Sequence, residues 1–361
     1  MSTAGLAQRW YKRSPWLLLS WAGPRLVATD CHTLRRIKGV EDLVGLLSVL
    51  SDWQSPTQVA KALGGADDSR IGALLDDLVK RGLVLRSGDP APIGQLHDEA
   101  AWDLIELAMQ RQSARGGAAP RARRPPRRLP GRDGQPTHLP QLSCPSSLSL
   151  VDALERRRSI RCYDSRPLAL DEIAAFLYST AHSSTDGRSR RPYPSGGACY
   201  PLELYLLCND VADLAPGAYH YCPEGHELRA ITTDQAWQTR LNRFVLHATD
   251  GALNRTPPVV FVVTAVFERV TWKYRRISLS LILKEVGALI QTMYLVATAM
   301  GLAPCAIGSG GDLDDAAALG MDPFREAPVG MFLLGAPRDA KADRDADTEV
   351  VAGAQQTGEK T

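Results

Sequence analysis

Three short stretches in the C-terminal two-thirds of this 361-residue chain carry the residue types that grip a phosphorylated, planar ligand. Arg157, Arg158, Ser159, Ile160 and Arg161 come first. Arg191-Pro192-Tyr193-Pro194-Ser195-Gly196-Gly197-Ala198-Cys199-Tyr200-Pro201 follows, then Ala306-Ile307-Gly308-Ser309-Gly310-Gly311. Arginine presents a rigid fork of donors that matches phosphate oxygens, and a hydroxyl among several arginines completes an anion seat. Glycine lets the main chain approach a flat ring closely, with its N–H free to bond the ring edge. A fourth stretch, Trp272-Lys273-Tyr274, offers an amine and a phenol, two groups able to move a proton. Read without context, that stretch is equally an ordinary approach to a helix with a surface lysine.

The elements that must position these stretches follow from hydrophobic periodicity and punctuation. A helix opens at Ser149 and runs into the arginine cluster; a second covers 171–181, with Ile173, Ala174, Phe176 and Leu177 on its apolar side. Strands are predicted at 202–207, from 218 to the turn at Cys222-Pro223-Glu224-Gly225, at 259–266, and up to Gly335-Ala336-Pro337. A long apolar helix over 279–300 is stopped by Gly301. Helices and strands interleave without a βαβ period, which indicates an α+β fold.

On these motifs, residues from about 146 to 337 resemble the SagB-type dehydrogenases of the nitroreductase superfamily. The resemblance covers 157–161, 194–198, Leu202-Glu203-Leu204-Tyr205, Gly217-Ala218-Tyr219-His220-Tyr221 and Glu227-Leu228. It resumes at Trp272-Lys273-Tyr274, Val286-Gly287, Gly301-Leu302 and Ile307-Gly308. It implies a nitroreductase-like FMN domain that oxidises azoline rings of a heterocyclised peptide to azoles and passes the electrons to dioxygen. Arg157, Arg158, Ser159 and Arg161, with Arg338, would hold the FMN phosphate. Pro194, Ser195, Gly196, Gly197, Gln291, Ile307 and Gly308 would surround the rest of the cofactor. Lys273 would be the base and Tyr274 its partner; like charge from Arg275 and Arg276 favours a neutral amine there. The family also implies a homodimer with flavins at its interface and a cyclodehydratase as partner. This chain departs from the family pattern at Ile277, Ser280, Ala288 and Thr292. Two other functions remain open, a generic NAD(P)H-dependent nitro or quinone reductase and a non-catalytic scaffold of a peptide-modifying complex.

The size predicts two domains, and 44% apolar with 23% charged residues is the composition of a globular protein. A winged-helix-like module is expected over 1–110, from strands around Gly23-Pro24, a helix over 40–53, another after Ser55-Pro56, a third from Asp67 or Asp68 to Gly82, and a strand at 83–85. Its third helix carries Asp67, Asp68, Asp76 and Asp77 against Arg70, Lys80 and Arg81, which argues against DNA and leaves a peptide- or partner-docking module, or a purely structural extension. Residues 111–140 read as an extended Pro/Arg-rich linker, with eight arginines and no acid between 111 and 132. The FMN domain takes 141–340, and 341–361 a disordered tail. The seven cysteines form no CxxC pair and the histidines have no ligand spacing, so neither a disulfide framework nor a metal site is expected. Cys199 reads as a packed residue and His220 as a structural one. No run of the length of a membrane span is expected, and the weak resemblance of Lys12-Arg13…Trp16-Leu17-Leu18-Leu19 to a signal peptide lacks a cleavage pattern. A cytoplasmic protein fits these features.

Overall fold

The structure, a computed structural model, describes residues 9–31, 33–65, 67–89, 104–115, 134–144, 147–184, 190–308, 318–322 and 325–338. Two compact units, Met1–Gly116 and Gly117–Thr361, divide the chain.

In the first unit, short polar caps set the helices. Strands β1 (Tyr11–Arg13), β2 (Leu17–Ala22), β3 (Arg25–Asp30) and β4 (Arg36–Lys38) precede α1 (Val44–Val49), α2 (Pro56–Ala62), α3 (Asp68–Arg81), β5 (Val84–Arg86) and α4 (Leu104–Arg115). Ser55 and Gln58 form a capping box on α2; Asp67 caps α3, and Gly82 at φ +80° ends it. Strands β2, β3 and β4 form one antiparallel sheet in that order, and β1 pairs with β5. The helix expected over 40–53 is shorter, a 3-10 turn at Glu41–Leu43 followed by α1. Gln54 exchanges two backbone hydrogen bonds of 2.8 Å with Tyr11, which draws the chain out of helical geometry after Leu50. The expected linker also differs. Residues 111–115 are helical, since the first proline of the arginine run is Pro120, and 136–138 form a strand. The rest of that run and the tail 341–361 lie outside the described residues.

The second unit comprises β6 (Pro136–His138), α5 (Leu150–Arg156), β7 (Leu168–Ala169), α6 (Leu170–Ala181), β8 (Leu202–Cys208), β9 (Val211–Ala212), β10 (Gly217–Cys222), β11 (Glu227–Ile231), α7 (Gln235–Ala248), β12 (Val259–Val266), α8 (Glu268–Thr271), α9 (Ser278–Ala299), β13 (Ala303–Ile307) and β14 (Glu326–Gly335). Seven strands form one antiparallel sheet, ordered β13-β14-β12-β8-β10-β11-β6. This is the expected α+β arrangement. Strand β12 is buried throughout because both sheet faces are covered. Val259, Phe261 and Val263 pack with Phe176 of α6 and Leu289 and Met293 of α9; Val260 and Val262 pack with Trp237, Leu241 and Val245 of α7. Contrary to the expectation that no segment reaches a membrane span, α9 has the length and apolar content of one. Here it lays Ile282, Val286, Leu289 and Met293 on the sheet.

Candidate active site

The arginine cluster is an extended segment held against the end of the sheet. Helix α5, capped by Ser149, ends where Arg157 leaves helical geometry. Ile160 N then donates to Pro304 O at 2.8 Å, which ties 157–161 to β13. Ser159 Oγ and Tyr294 Oη lie 2.7 Å apart, Ala306 N donates to the same phenol oxygen at 2.8 Å, and the Arg157 guanidinium stands 5.2 Å from the Tyr294 ring centre. Arg161 contacts Cys305, whose thiol is pushed up by burial while Arg161 pulls it down. Arg157 and Arg161 are half-buried, and neither has a carboxylate partner among the described residues. Partly desolvated cations without an acid make a seat for an anion, so these residues fit a phosphate. Arg158 and Arg338 are exposed. The Arg338 backbone N–H bonds Cys162 O at 3.1 Å, so Arg338 adjoins the same segment.

The glycine stretch is a strained turn. Gly197, Ala198 and Tyr200 have φ of +63°, +53° and +47°, a region costly for residues with a Cβ. Ser195 Oγ accepts from Tyr200 N at 2.8 Å and donates to Glu285 Oε2 at 2.6 Å, which closes the turn onto α9. A Cβ at Gly197 would lie 2.5 Å from both Lys273 Nζ and Tyr274 Oη. A side chain there would be strained by the positive φ and would displace the ends of Lys273 and Tyr274, so the Gly197 backbone lies beside the two side chains at which proton transfer is expected. Lys273 Nζ donates to Gly197 O at 3.4 Å and stands 5.4 Å from the Tyr274 ring centre. Arg275 and Arg276 are exposed.

The structure thus brings together Ser195, Gly196, Gly197, Lys273 and Tyr274 in one group, and Arg157, Ser159, Arg161 and Arg338 in another. Glu285 of the first and Tyr294 of the second lie nine residues apart on α9, about 13 Å along a helix. Gln291, between them in sequence, is exposed, as are Pro194 and Gly308, while Ile307 is buried. Ser309, Gly310 and Gly311 lie outside the described residues. The substituted positions Ala288 and Thr292 meet each other, Thr292 Oγ1 donating to Ala288 O at 2.8 Å.

Four contributors were not singled out by sequence reasoning. Tyr294 and Glu285 are two. The others are Glu203 of β8 and Arg269 of α8, a fully buried ion pair that anchors the helix leading into Lys273. Arg269 also donates to Tyr200 O at 3.2 Å, and His220 Nε2 lies 2.7 Å from Glu203 Oε2, which accounts for the histidine as structural. Burial alone would raise the Glu203 pKa, but Arg269, then His220 and Arg191, hold it well below the usual carboxylate range. A depressed carboxylate stabilises the fold above its unfolded pKa of about 4 and loses that contribution as pH falls below it. Glu203→Gln removes the carboxylate of a buried ion pair with Arg269 and should cost about 3 kcal/mol at pH 7. Denaturant unfolding should show that gap narrowing from pH 5 to pH 3; a gap independent of pH would contradict the assignment.

Comparison with known proteins bears on this site. Residues 154–336 match the nitroreductase family. A protein of Methanocaldococcus jannaschii, MJ1384, described as a nitroreductase, is 34% identical over 169 residues, spanning 47% of this chain and 83% of that protein. The microcin B17-processing protein McbC of Escherichia coli is 30% identical over 182 residues, 49% of this chain and 66% of its own. The trifolitoxin-processing protein TfxB of Rhizobium leguminosarum bv. trifolii is 26% identical over 327 residues, 81% of this chain and 83% of its own.

Proposed function

The chain belongs to the nitroreductase family, and on that footing we propose that it is an FMN-dependent dehydrogenase that oxidises azoline rings of a modified peptide to azoles. One observation carries the reading: Lys273 and Tyr274 pack on Gly197, so the groups suited to proton transfer lie against the segment suited to a flat ring. Two relatives are peptide-processing proteins, which supports a peptide substrate for this one.

FMN, when bound, would supply the hydride acceptor, with dioxygen as the final oxidant. Arg157, Arg158, Ser159 and Arg161 would hold its phosphate, and Ser195 to Gly197 would place backbone at its ring. Lys273 takes the proton from the azoline ring carbon, and Tyr274 orients the amine or relays the proton. Leu150, Val151 and Leu154 on α5 and Leu283 on α9, all exposed, support a homodimer in which the glycine segment of one subunit faces a cofactor held by the arginines of the other.

The first unit docks the peptide or a partner protein such as a cyclodehydratase. Strand β2 lies at the edge of its sheet, and Leu17 and Leu19 of β2 with Val44 and Leu47 of α1 line a groove of about 240 Å³ with Arg13. An extended peptide can add to such an edge, with apolar side chains in the groove. Leu19→Asp should raise KM for leader-bearing substrate about tenfold, the loss of one apolar anchor, while FMN content is retained. An unchanged KM would remove the docking role.

The direct test is mass spectrometry of an azoline-bearing peptide incubated with the purified protein and air. Loss of two hydrogens per ring is the expected result. No mass change, together with NADPH-driven reduction of a nitroaromatic, would replace this reading by the generic reductase.

A further inference from the structure

Glu285 is an ionisable group that the reaction above does not use. It lies on the sheet-facing side of α9 with Ile282, Val286 and Leu289 and is 4% exposed. Its carboxyl accepts from Ser195 Oγ at 2.6 Å, while Oε1 is buried with no hydrogen-bond partner. A buried carboxylate oxygen without a donor is costly, and such groups occur where structure or function demands them. The demand here is visible in the backbone, because the turn that Glu285 holds has positive φ at Gly197, Ala198 and Tyr200. A strained turn persists only where its surroundings determine it. Ser195 is the hinge, bonded to Tyr200 N on one side and to Glu285 on the other.

We infer that Glu285 is the positioning residue of the glycine segment: its carboxylate, by accepting from Ser195 Oγ, holds Ser195 to Gly197 against Lys273 and Tyr274, and protonation of the carboxylate weakens that hold. Charge-assisted hydrogen bonds are roughly twice as strong as neutral ones, so the ionised form grips harder. The charged and titratable groups around it make that proton exchangeable near neutrality. Burial raises the Glu285 pKa to about 7, against the pull of Ser195, Arg191 and Gly196. Arg191 is largely committed elsewhere, donating to Tyr193 Oη at 2.9 Å and Leu202 O at 2.8 Å. Tyr193 and Glu203 face Arg191 and temper its charge; Lys273 and Tyr274 lie beside Gly197. Lys284, next on the same helix, is exposed.

Two measurements on the full chain test this, one resting on the FMN reading above and one independent of it. In the first, FMN is titrated by fluorescence quenching between pH 6 and 8.5 with wild type and Glu285→Gln. Wild-type affinity relative to the variant should rise about fivefold across that range. Titration of the FMN phosphate is common to both proteins and cancels in the ratio. A constant ratio overturns the inference. In the second, thermal unfolding of cofactor-free protein is compared between pH 4.5 and 8. A carboxyl with a raised folded pKa stabilises below its unfolded pKa and loses that contribution as pH rises through the folded one. Wild type should therefore lose stability relative to Glu285→Gln as pH rises towards 8, and a flat difference overturns the inference. If wild type binds no FMN at any pH, the FMN reading fails while the unfolding comparison still tests the titration of Glu285 in the folded chain on which the inference depends. Should Glu285→Gln not fold, Ser195→Ala keeps the carboxyl and removes its donor. It should move the midpoint of wild-type pH dependence upward, and an unmoved midpoint overturns the inference.

Discussion

Lys273→Ala is expected to lose about 10²- to 10⁴-fold in azoline turnover, the range typical of removing a general base, while the protein remains yellow. The two halves of that result have separate structural sources. Lys273 Nζ makes one long bond of 3.4 Å to Gly197 O and stands 5.4 Å from the Tyr274 ring centre, so its removal leaves no buried group orphaned and the turn stays held by Ser195 and Glu285. The arginine cluster, which binds through other residues, is untouched. Tyr274→Phe separates the phenol from the ring: the ring packing against the core is kept and only the oxygen near Gly197 is lost. A smaller loss for Tyr274→Phe than for Lys273→Ala would assign the base to the amine. The measurement is the single-turnover rate of two-hydrogen mass loss, paired with flavin absorbance per chain. Wild-type turnover by Lys273→Ala would make the mechanism wrong and favour a reductase that needs no base.

The parts of this site visible in the sequence are those carried by local residue choice. Ser55-Pro56, Gly82 and Gly301 end or begin helices for reasons internal to a few residues, and the apolar run at 259–266 forms a strand with those bounds. Helix α7 was missed although its signals are local as well, an Asp234 cap followed by Trp237, Leu241 and Val245 at four-residue spacing. What could not be read is proximity. Gly197 and Lys273 are 76 positions apart in sequence, and nothing in either stretch announces that a Cβ at one would strike the other. Glu285 shows the intermediate case. Beside Lys284 it resembles a surface charge, yet its spacing from Ile282 and Leu289 places it on the buried stripe of α9. Tyr294 is hidden for a different reason, since a tyrosine in an apolar helix signals core, and only the fold shows its hydroxyl bridging Ser159 and Ala306.

Replacing both Arg157 and Arg161 with Ala should leave a colourless protein that folds. In the proposed site each arginine would contribute charge-assisted bonds to the phosphate of roughly 1.5–3 kcal/mol, so the double change should weaken FMN binding by about 10²- to 10⁴-fold. Folding should survive because neither guanidinium has a buried counter-charge to strand: among the described residues Arg157 lies over the Tyr294 ring and Arg161 against Cys305. The segment's own attachment is through backbone, Ile160 N to Pro304 O and Arg338 N to Cys162 O, which side-chain truncation spares. Ser159→Ala is the finer probe. It removes one hydroxyl, at 2.7 Å from Tyr294 Oη, and should cost affinity in proportion to a single neutral hydrogen bond of about 1 kcal/mol. Arg158, exposed where Arg157 and Arg161 are half-buried, provides the contrast: Arg158→Ala should cost less than either partner. Equilibrium dialysis with FMN and with riboflavin decides the matter. Riboflavin lacks the phosphate, so the double variant should bind it as wild type does. Equal loss for both ligands would place the arginines at the ring instead, and full FMN occupancy in the double variant would remove them from the cofactor site altogether.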